Sequence, residues 1–334
     1  MNTVTHQKDT QTTTSESAIN LPKSLDQLTT KQEIERKTAI GKIVTYTLTN
    51  LTNTYIKEGF QWLLPVILSQ STDPLWPDPN ASIEKRIEID IYQKPVRAMT
   101  SMIVHKLIGA STIYPKLFTL APNIRIEKAD RGKTGKHIYE FTQLDFEIQN
   151  ATSKDVFTLI EKALSNLIKD LKKDLKTDLT TLNRLDALPT LEGPFKVLDR
   201  EDLEAKYGST WEEDITAEIS QPVWITNIPR EFYDFQDFTT GTWDNYDLFM
   251  PQFGEVLSGS KREHEHDKII TKMEQHEVRK ENYSLIIQMA KEGRLKPTAG
   301  AGLGIERIVG YITGVKHIAE CQPFPRIPGI VHEL

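Results

Sequence analysis

The sequence predicts an α+β fold, an antiparallel sheet flanked by helices. Extended segments at Leu117 to Glu127 and Ile138 to Ile148 supply an antiparallel strand pair. Apolar residues at three- and four-residue spacing, over Ile40 to Tyr55 and again over 159–175, supply amphipathic helices. No internal repeat or clear linker divides the chain, so residues 31–334 read as one domain.

Residues 1–30 are polar, with the run Gln11-Thr-Thr-Thr14, and have almost nothing to bury, which predicts a flexible tail. From Lys31 the pattern is helical, with Ile40, Ile43, Thr47, Leu51 and Tyr55 on one face and Gly59 as a stop. Phe60 to Leu68 reads as a strand interrupted by Pro65. Proline donates nothing to a sheet ladder, so Pro65 belongs at an edge or an interface. Asp73 to Pro79 is a proline-rich loop, residues 83–92 a strand and 99–108 a helix. Leu117 to Glu127 is extended with a break at Pro122. A long helix covers Val156 to Leu175, its Lys and Asp residues forming the solvated face. Short strands at 223–228, 246–250 and 254–257 precede a charged helical stretch at 263–292. Gly300-Ala-Gly-Leu-Gly304 then leads into an apolar helix, Ile305 to Thr313.

Charge and cysteine content bound the function. The 334 residues carry 41 Lys and Arg against 47 Asp and Glu, a net charge of −6, without the basic excess usual in proteins devoted to nucleic acid. The one cysteine, Cys321, excludes an internal disulfide and a zinc site built from several cysteines. No run reaches the about 18 apolar residues of a membrane helix, and the polar N-terminus lacks a signal-peptide pattern. A cytoplasmic protein is expected.

Three clusters have the chemistry of a nucleotide site. Arg125 and Glu127 alternate onto one strand face, and the following loop carries Lys128, Arg131, Lys133 and Lys136 before His137 and Phe141. An arginine fork and basic loop can grip phosphates, or the same residues form an ordinary charged hairpin turn. Asp247, Glu255 and Ser258 are oxygen ligands suited to Mg²⁺, with Arg262 placed to pair with a carboxylate, or they mark a strand end before a charged helix. Gly300 to Gly304 allows close backbone approach ahead of Arg307, but lacks both the Lys-Ser/Thr of a phosphate loop and a surrounding βαβ unit.

In this order the clusters resemble the three signature motifs of class II aminoacyl-tRNA synthetases. Pro65 corresponds to the first motif, Arg125 through Glu147 to the second, and Gly302-Leu-Gly-Ile-Glu-Arg307 to the third. His137 through Glu147, Gly254 through Arg262, and Pro323-Phe-Pro-Arg-Ile-Pro-Gly329 resemble the aspartyl/asparaginyl branch. One departure is visible: Ser101 sits in Thr100-Ser-Met-Ile103, where that branch has Gln-Ser-Pro-Gln. Members of the branch carry an N-terminal anticodon-binding barrel, and the 30 polar residues here are too few for one. The chain therefore resembles the archaeal asparagine synthetases related to asparaginyl-tRNA synthetase, a class II catalytic domain without the anticodon module.

This resemblance implies ammonia-dependent asparagine synthesis, with ATP, L-aspartate and ammonia as partners and no tRNA. ATP would activate the aspartate side-chain carboxylate as a β-aspartyl adenylate, and ammonia would displace AMP. It also implies the residue roles. Arg125 and Gln143 would be catalytic. Arg125, Glu127, His137, Phe141, Glu255 and Arg307 would bind ATP. Ser101, Gln143 and Arg262 would hold the amino acid, and Asp247, Glu255 and Ser258 would place Mg²⁺. Asp73 is either the base that deprotonates ammonium or a turn aspartate ahead of a proline. Cys321, alone and without a glutaminase domain, reads as a buried small hydrophobe, which points to free ammonia as nitrogen donor. Two other readings stand beside this one, an aminoacylating enzyme acting on the α-carboxylate and a non-catalytic regulatory binding protein. The resemblance further implies a homodimer joined through the helix at about 34–58 and Pro65.

Overall fold

The computed structural model describes residues 21–75 and 83–333. Its body is an eight-stranded sheet: β1 (Gln61–Trp62), β2 (Lys116–Ile124), β3 (Glu140–Gln149), β4 (Lys196–Asp199), β5 (Val223–Thr226), β6 (Asn245–Met250), β7 (Gly254–Lys261) and β8 (Thr298–Gly304). The spatial order is β1-β2-β3-β8-β7-β6-β5-β4. The strands from β2 to β5 run antiparallel, as expected, but β1 and β4 pair in parallel at the two edges, so the sheet is mixed.

Alternation gives the sheet two different faces. On β3, Leu144 and Phe146 are buried in the main apolar core, while Gln143, Asp145 and Glu147 point the other way. The apolar face is covered by α1 (Lys31–Lys57), and the opposite face by α2 (Ile103–Thr112). Further along the chain come α3 (Ser153–Asp174), α4 (Trp211–Glu218), α5 (His266–Gln275), α6 (Ser284–Lys291) and α7 (Ile305–Thr313). α3 and α7 join α1 on the core face, and α5 and α6 pack with α2 around Leu107, Phe232 and Met273. Capping boxes, Thr30 with Glu33 and Thr152 with Asp155, satisfy the first backbone N–H groups of α1 and α3.

Several boundaries differ from the expectation. Residues 1–20 of the tail lie outside the described residues, but Ser24 is buried and the Leu25 N–H donates to Pro323 O, so the end of that segment is docked. Pro122 stays inside β2 opposite Thr142, and the break falls at Arg125, after which Ile126–Glu127 pairs with Ile83–Lys85. The proline-rich loop is described only to Leu75. The strand expected at 83–92 is two pieces, Ile83–Lys85 and Glu88–Ile91. The helix expected from 99 starts at Ile103, because Met99 and Thr100 extend to bond Ile67 O and Thr72 Oγ1. The charged stretch 263–292 divides where Glu277 takes φ +53°, after α5.

The glycine-rich run is a strand and not a loop. A Cβ on Gly300 would lie 2.2 Å from Phe146 O and 2.3 Å from Glu147 Oε2, so only glycine lets β8 approach β3 there.

Phe146 joins the sheet to α1, its ring lying 5.2 Å from Tyr55 and 6.3 Å from Phe60. Phe146→Ala should lower the unfolding free energy by about 3–5 kcal/mol in urea denaturation. A loss below about 1 kcal/mol would mean that this contact does not anchor α1.

Candidate active site

The polar sheet face holds two adjoining cavities. The first, about 590 Å³, is lined by Arg125, Glu127, His137, Phe141, Glu255 and Arg307 among others. The second, about 800 Å³, is lined by Asp73, Ser101, Lys106, Arg230, Asp234 and Arg262 among others. Arg125, Gln143, Glu255 and Gly302 line both, so the two open onto each other. Gly302 keeps the floor open, since a Cβ there would lie 2.9 Å from Asp145 Oδ1 and 3.0 Å from Gln143 Nε2.

In the first cavity the Arg125 guanidinium donates twice to Thr100 O, at 3.1 and 3.2 Å, and lies 5.3 Å from the Phe141 ring centre. Glu127 is buried, and its Oε2 pairs with Arg131 Nε at 3.7 Å but accepts no hydrogen bond. Burial raises its carboxyl, against the pull of Arg125, Arg131 and Arg307. A buried acceptor without a donor is an open position for a ligand N–H. Arg307 donates to Glu255 O at 3.0 Å and pairs with Glu255 Oε1 at 3.1 Å. The His137 ring is pushed down to about 3 by burial and by the cations Arg307, Arg131 and Lys136. It is therefore neutral, and accepts from Arg131 at 2.8 Å through Nε2. The positive charge at this end comes from Arg131, Lys136 and Arg307, and His137 orients Arg131.

The inner wall of the second cavity is a buried charge network. Lys106 Nζ lies 2.9 Å from Asp145 Oδ1 and 3.7 Å from Glu147 Oε2, and donates to Ala301 O at 3.1 Å. Arg262 donates to Asp234 Oδ1 at 2.8 Å, to Glu147 Oε1 at 3.3 Å and to Gly300 O at 3.1 Å. Asp145 Oδ2, in the same wall, has no hydrogen-bond partner. Ser101 Oγ accepts from Ile103 N at 3.3 Å, and Gln143 Oε1 accepts from Asn123 at 2.6 Å.

Glu255 and Ser258 are three residues apart and would alternate onto opposite faces of a regular strand. The pairing slips here, from Leu248 with Leu257 to Phe249 with Glu255, and this bulge brings both onto the cavity side. The proposed magnesium ligands do not fit an ion as a set. Arg230 forks onto both Asp247 oxygens, at 2.8 and 2.6 Å, and also donates to Ser258 Oγ. Only Glu255 is left, already paired with Arg307.

Asp73 Oδ1 accepts from Leu75 N at 2.8 Å, and its carbonyl from Thr100 Oγ1 and Arg86. This is the turn role, although the residue also lines the second cavity. Cys321 is buried, and burial pushes its thiol well up.

The sequence reading missed Lys106 and Arg230. Lys106 left a trace, a lysine within the apolar run Ile103-Val-His-Lys-Leu-Ile108 with no acidic residue three or four positions away. Arg230 left none, since its partners lie 17 and 28 positions along the chain.

A family model described as tRNA synthetases class II (D, K and N) matches residues 81–328. The chain belongs to this family. It is 30% identical over 247 residues to the asparagine–tRNA ligase of Metamycoplasma arthritidis, covering 65% of this chain and 54% of that one. It is 28% identical over 284 residues to that of Clostridium botulinum, covering 75% and 60%. The chain thus spans about half the length of the curated relatives it matches. The fold matches asparaginyl-tRNA synthetase from Pyrococcus horikoshii complexed with asparaginyl-adenylate, at a TM-score of 0.78 and 21% identity over 94% of this chain and 76% of that one. It also matches that of Entamoeba histolytica, at 0.76 and 19% identity over 92% and 72%.

These likenesses overturn two expectations. Ammonia-dependent asparagine synthesis gives way, because the relatives are named asparagine–tRNA ligases and the solved neighbours are asparaginyl-tRNA synthetases. The exclusion of tRNA falls with it. The ammonia role of Asp73 and the argument from Cys321 about nitrogen have no reaction left to serve. The chain is a member of a ligase family, and no helix among the described residues is long and apolar enough to cross a membrane.

Glu306, in the third motif, is buried between the first cavity and the C-terminal segment. Burial pushes its carboxyl up to about 7, although Thr142 N donates to it. The folded form therefore holds a proton that the unfolded chain releases near its ordinary 4.5. Stability from this group is full below that value and is lost as pH rises through about 7. Glu306→Gln should remove that loss. Its stability relative to the parent should grow by on the order of 3 kcal/mol between acid and neutral pH in denaturant titrations. A difference that does not change with pH would contradict this.

Proposed function

We propose that the chain activates asparagine with ATP at the α-carboxylate and passes the asparaginyl group to tRNA in the cytoplasm. The observation that carries this is the junction of the two cavities across Arg125, Gln143, Glu255 and Gly302. A nucleotide in one and an amino acid in the other meet there, at the reacting atoms. The amino-acid carboxylate oxygen attacks the α-phosphorus, the bond to the β-phosphate breaks, and pyrophosphate leaves. A ribose hydroxyl of tRNA then attacks the activated carbonyl, and AMP leaves.

The residues fit these steps. Arg125, at the junction and backed by Phe141, neutralises charge developing on the α-phosphate. Glu127 Oε2 accepts from the exocyclic amine of adenine. Arg131, Lys136 and Arg307 face the distal phosphates, and Asp145 Oδ2 receives the α-ammonium. Ser101 and Gln143 border the bound amino acid. Asparagine is favoured over aspartate by the inner wall. Lys106 and Arg262 are already matched by Asp145, Glu147 and Asp234, so a neutral amide enters without leaving a buried negative charge uncompensated.

Pyrophosphate exchange tests the first step, and charging of a tRNA transcript the second. Exchange dependent on asparagine, not aspartate, is expected, and Arg125→Ala should reduce it about 10²–10³-fold. Aspartate-dependent exchange would overturn the choice of amino acid. Exchange without charging would overturn the acceptor.

We also propose a homodimer joined along α1 and the edge around Pro65. Trp62, Leu64 and Ile67 are exposed there, apolar side chains that another surface would cover. Sedimentation at micromolar concentration should give a dimer for the parent and a monomer for Leu64→Glu. A monomeric parent would refute the arrangement.

A further inference from the structure

The position of Arg230 is not an accident of a mobile side chain. It follows Pro229 in a segment fixed to β6 at Ile228, whose N–H donates to Asn245 Oδ1 at 2.9 Å and whose carbonyl accepts from Asn245 Nδ2. Its targets, Asp247 and Ser258, are direct cross-strand partners on β6 and β7. The guanidinium spans them, taking both Asp247 oxygens in a two-pronged contact and the Ser258 hydroxyl with the same Nη1. The Arg230 side chain is only 23% exposed and Asp247 6%. A carboxylate, a hydroxyl and a nearby second carboxylate, Glu255, are the donors a hard divalent ion takes. An ion would need the lone pairs that Arg230 occupies, at about 2.0–2.1 Å for magnesium.

We infer that Arg230 is a built-in cation, holding between Asp247 and Ser258 the place that a divalent ion would otherwise take. It is a positioning residue. It fixes the β6–β7 wall in the charge state that the phosphate end of a nucleotide meets, without an ion having to bind first. An arginine carries its charge at every working pH and does not dissociate. A divalent ion delivered with ATP is a separate ligand.

Mn²⁺ binding to the nucleotide-free full chain, followed by loss of the free-ion electron paramagnetic resonance signal, tests this. It rests on neither the amino acid nor the tRNA acceptor, so its failure is distinct from failure of the synthetase reading. The parent and Asp247→Asn should bind Mn²⁺ alike. Arg230→Ala should gain one site per chain, at least about tenfold tighter than any in the parent. The double variant R230A/D247N should lose that site. Arg230→Gln, closer in size, serves the same purpose if the alanine variant fails to fold by circular dichroism. Weaker Mn²⁺ binding in Asp247→Asn than in the parent would show that an ion already sits there, and overturn the inference. So would a folded Arg230 variant that gains no site.

Discussion

The buried carboxylate of Glu147 is the constraint on which the site depends. It is fully buried on β3, with Arg262 at 3.3 Å, Lys106 at 3.7 Å and the Thr298 hydroxyl at 2.8 Å. A charge in such a place costs several kcal/mol unless matched, so its partners cannot move independently. Lys106 ties α2 to the sheet, and Arg262 ties the end of β7 to Asp234. Asp234 O in turn accepts from Lys272 on α5. Gly300 completes the arrangement by leaving room for the Glu147 carboxylate. Four separate segments are thus held in register by one set of charges, and the second cavity is what remains between them.

The same network sets what that cavity accepts. The inner-wall cations Lys106 and Arg262 are already paired, while Asp145 Oδ2 still has a free lone pair. The balance favours a ligand with a positive end and a neutral side chain. Arg230 extends the principle to the adjoining wall, where protein charge again meets protein charge. The first cavity is the opposite case. Arg125, Arg307 and Lys136 face it with fewer acidic partners, and His137 is kept neutral by burial and by that surplus. The two halves are thus electrostatically distinct, the first matched to phosphate and the second to a zwitterion.

Much of the first half was legible because its residues are local. Arg125, Glu127, His137 and Phe141 lie within one hairpin, and a strand pair needs only alternation to be seen. The second half is built from contacts across long separations, Lys106 with Asp145 and Arg230 with Asp247, which no periodicity announces. Glu255 and Ser258 share a face only through a bulge. The glycines of β8 gave no strand signal because their reason, close approach to β3, belongs to the partner strand. The reaction was misread for a different reason. Adenylation of a side-chain carboxylate and of an α-carboxylate use the same arginine, the same nucleotide contacts and the same leaving group. Length and net charge do not discriminate between them.

Glu306 shows how the core face reaches the site. Its carboxylate accepts from Thr142 N at the start of β3, and Gln322 Nε2 lies 3.4 Å from Oε1. Gln322 O and Glu320 O accept from Lys37 on α1, and Arg36 pairs with Glu320 at 3.0 Å. A continuous run of polar contacts therefore links α1, through residues 320–322, to the strand that carries Phe141 and Gln143. Protonated, Glu306 is a neutral acceptor that burial tolerates; ionised, it is a buried negative charge whose own contacts, Thr142 N and Gln322 Nε2, bring no cation. The seating of β3 at the first cavity is thus bound to the protonation of a group on the rim between that cavity and the C-terminal segment. The third motif's glutamate is accounted for by this structural role, and its arginine, one position on, lines the first cavity.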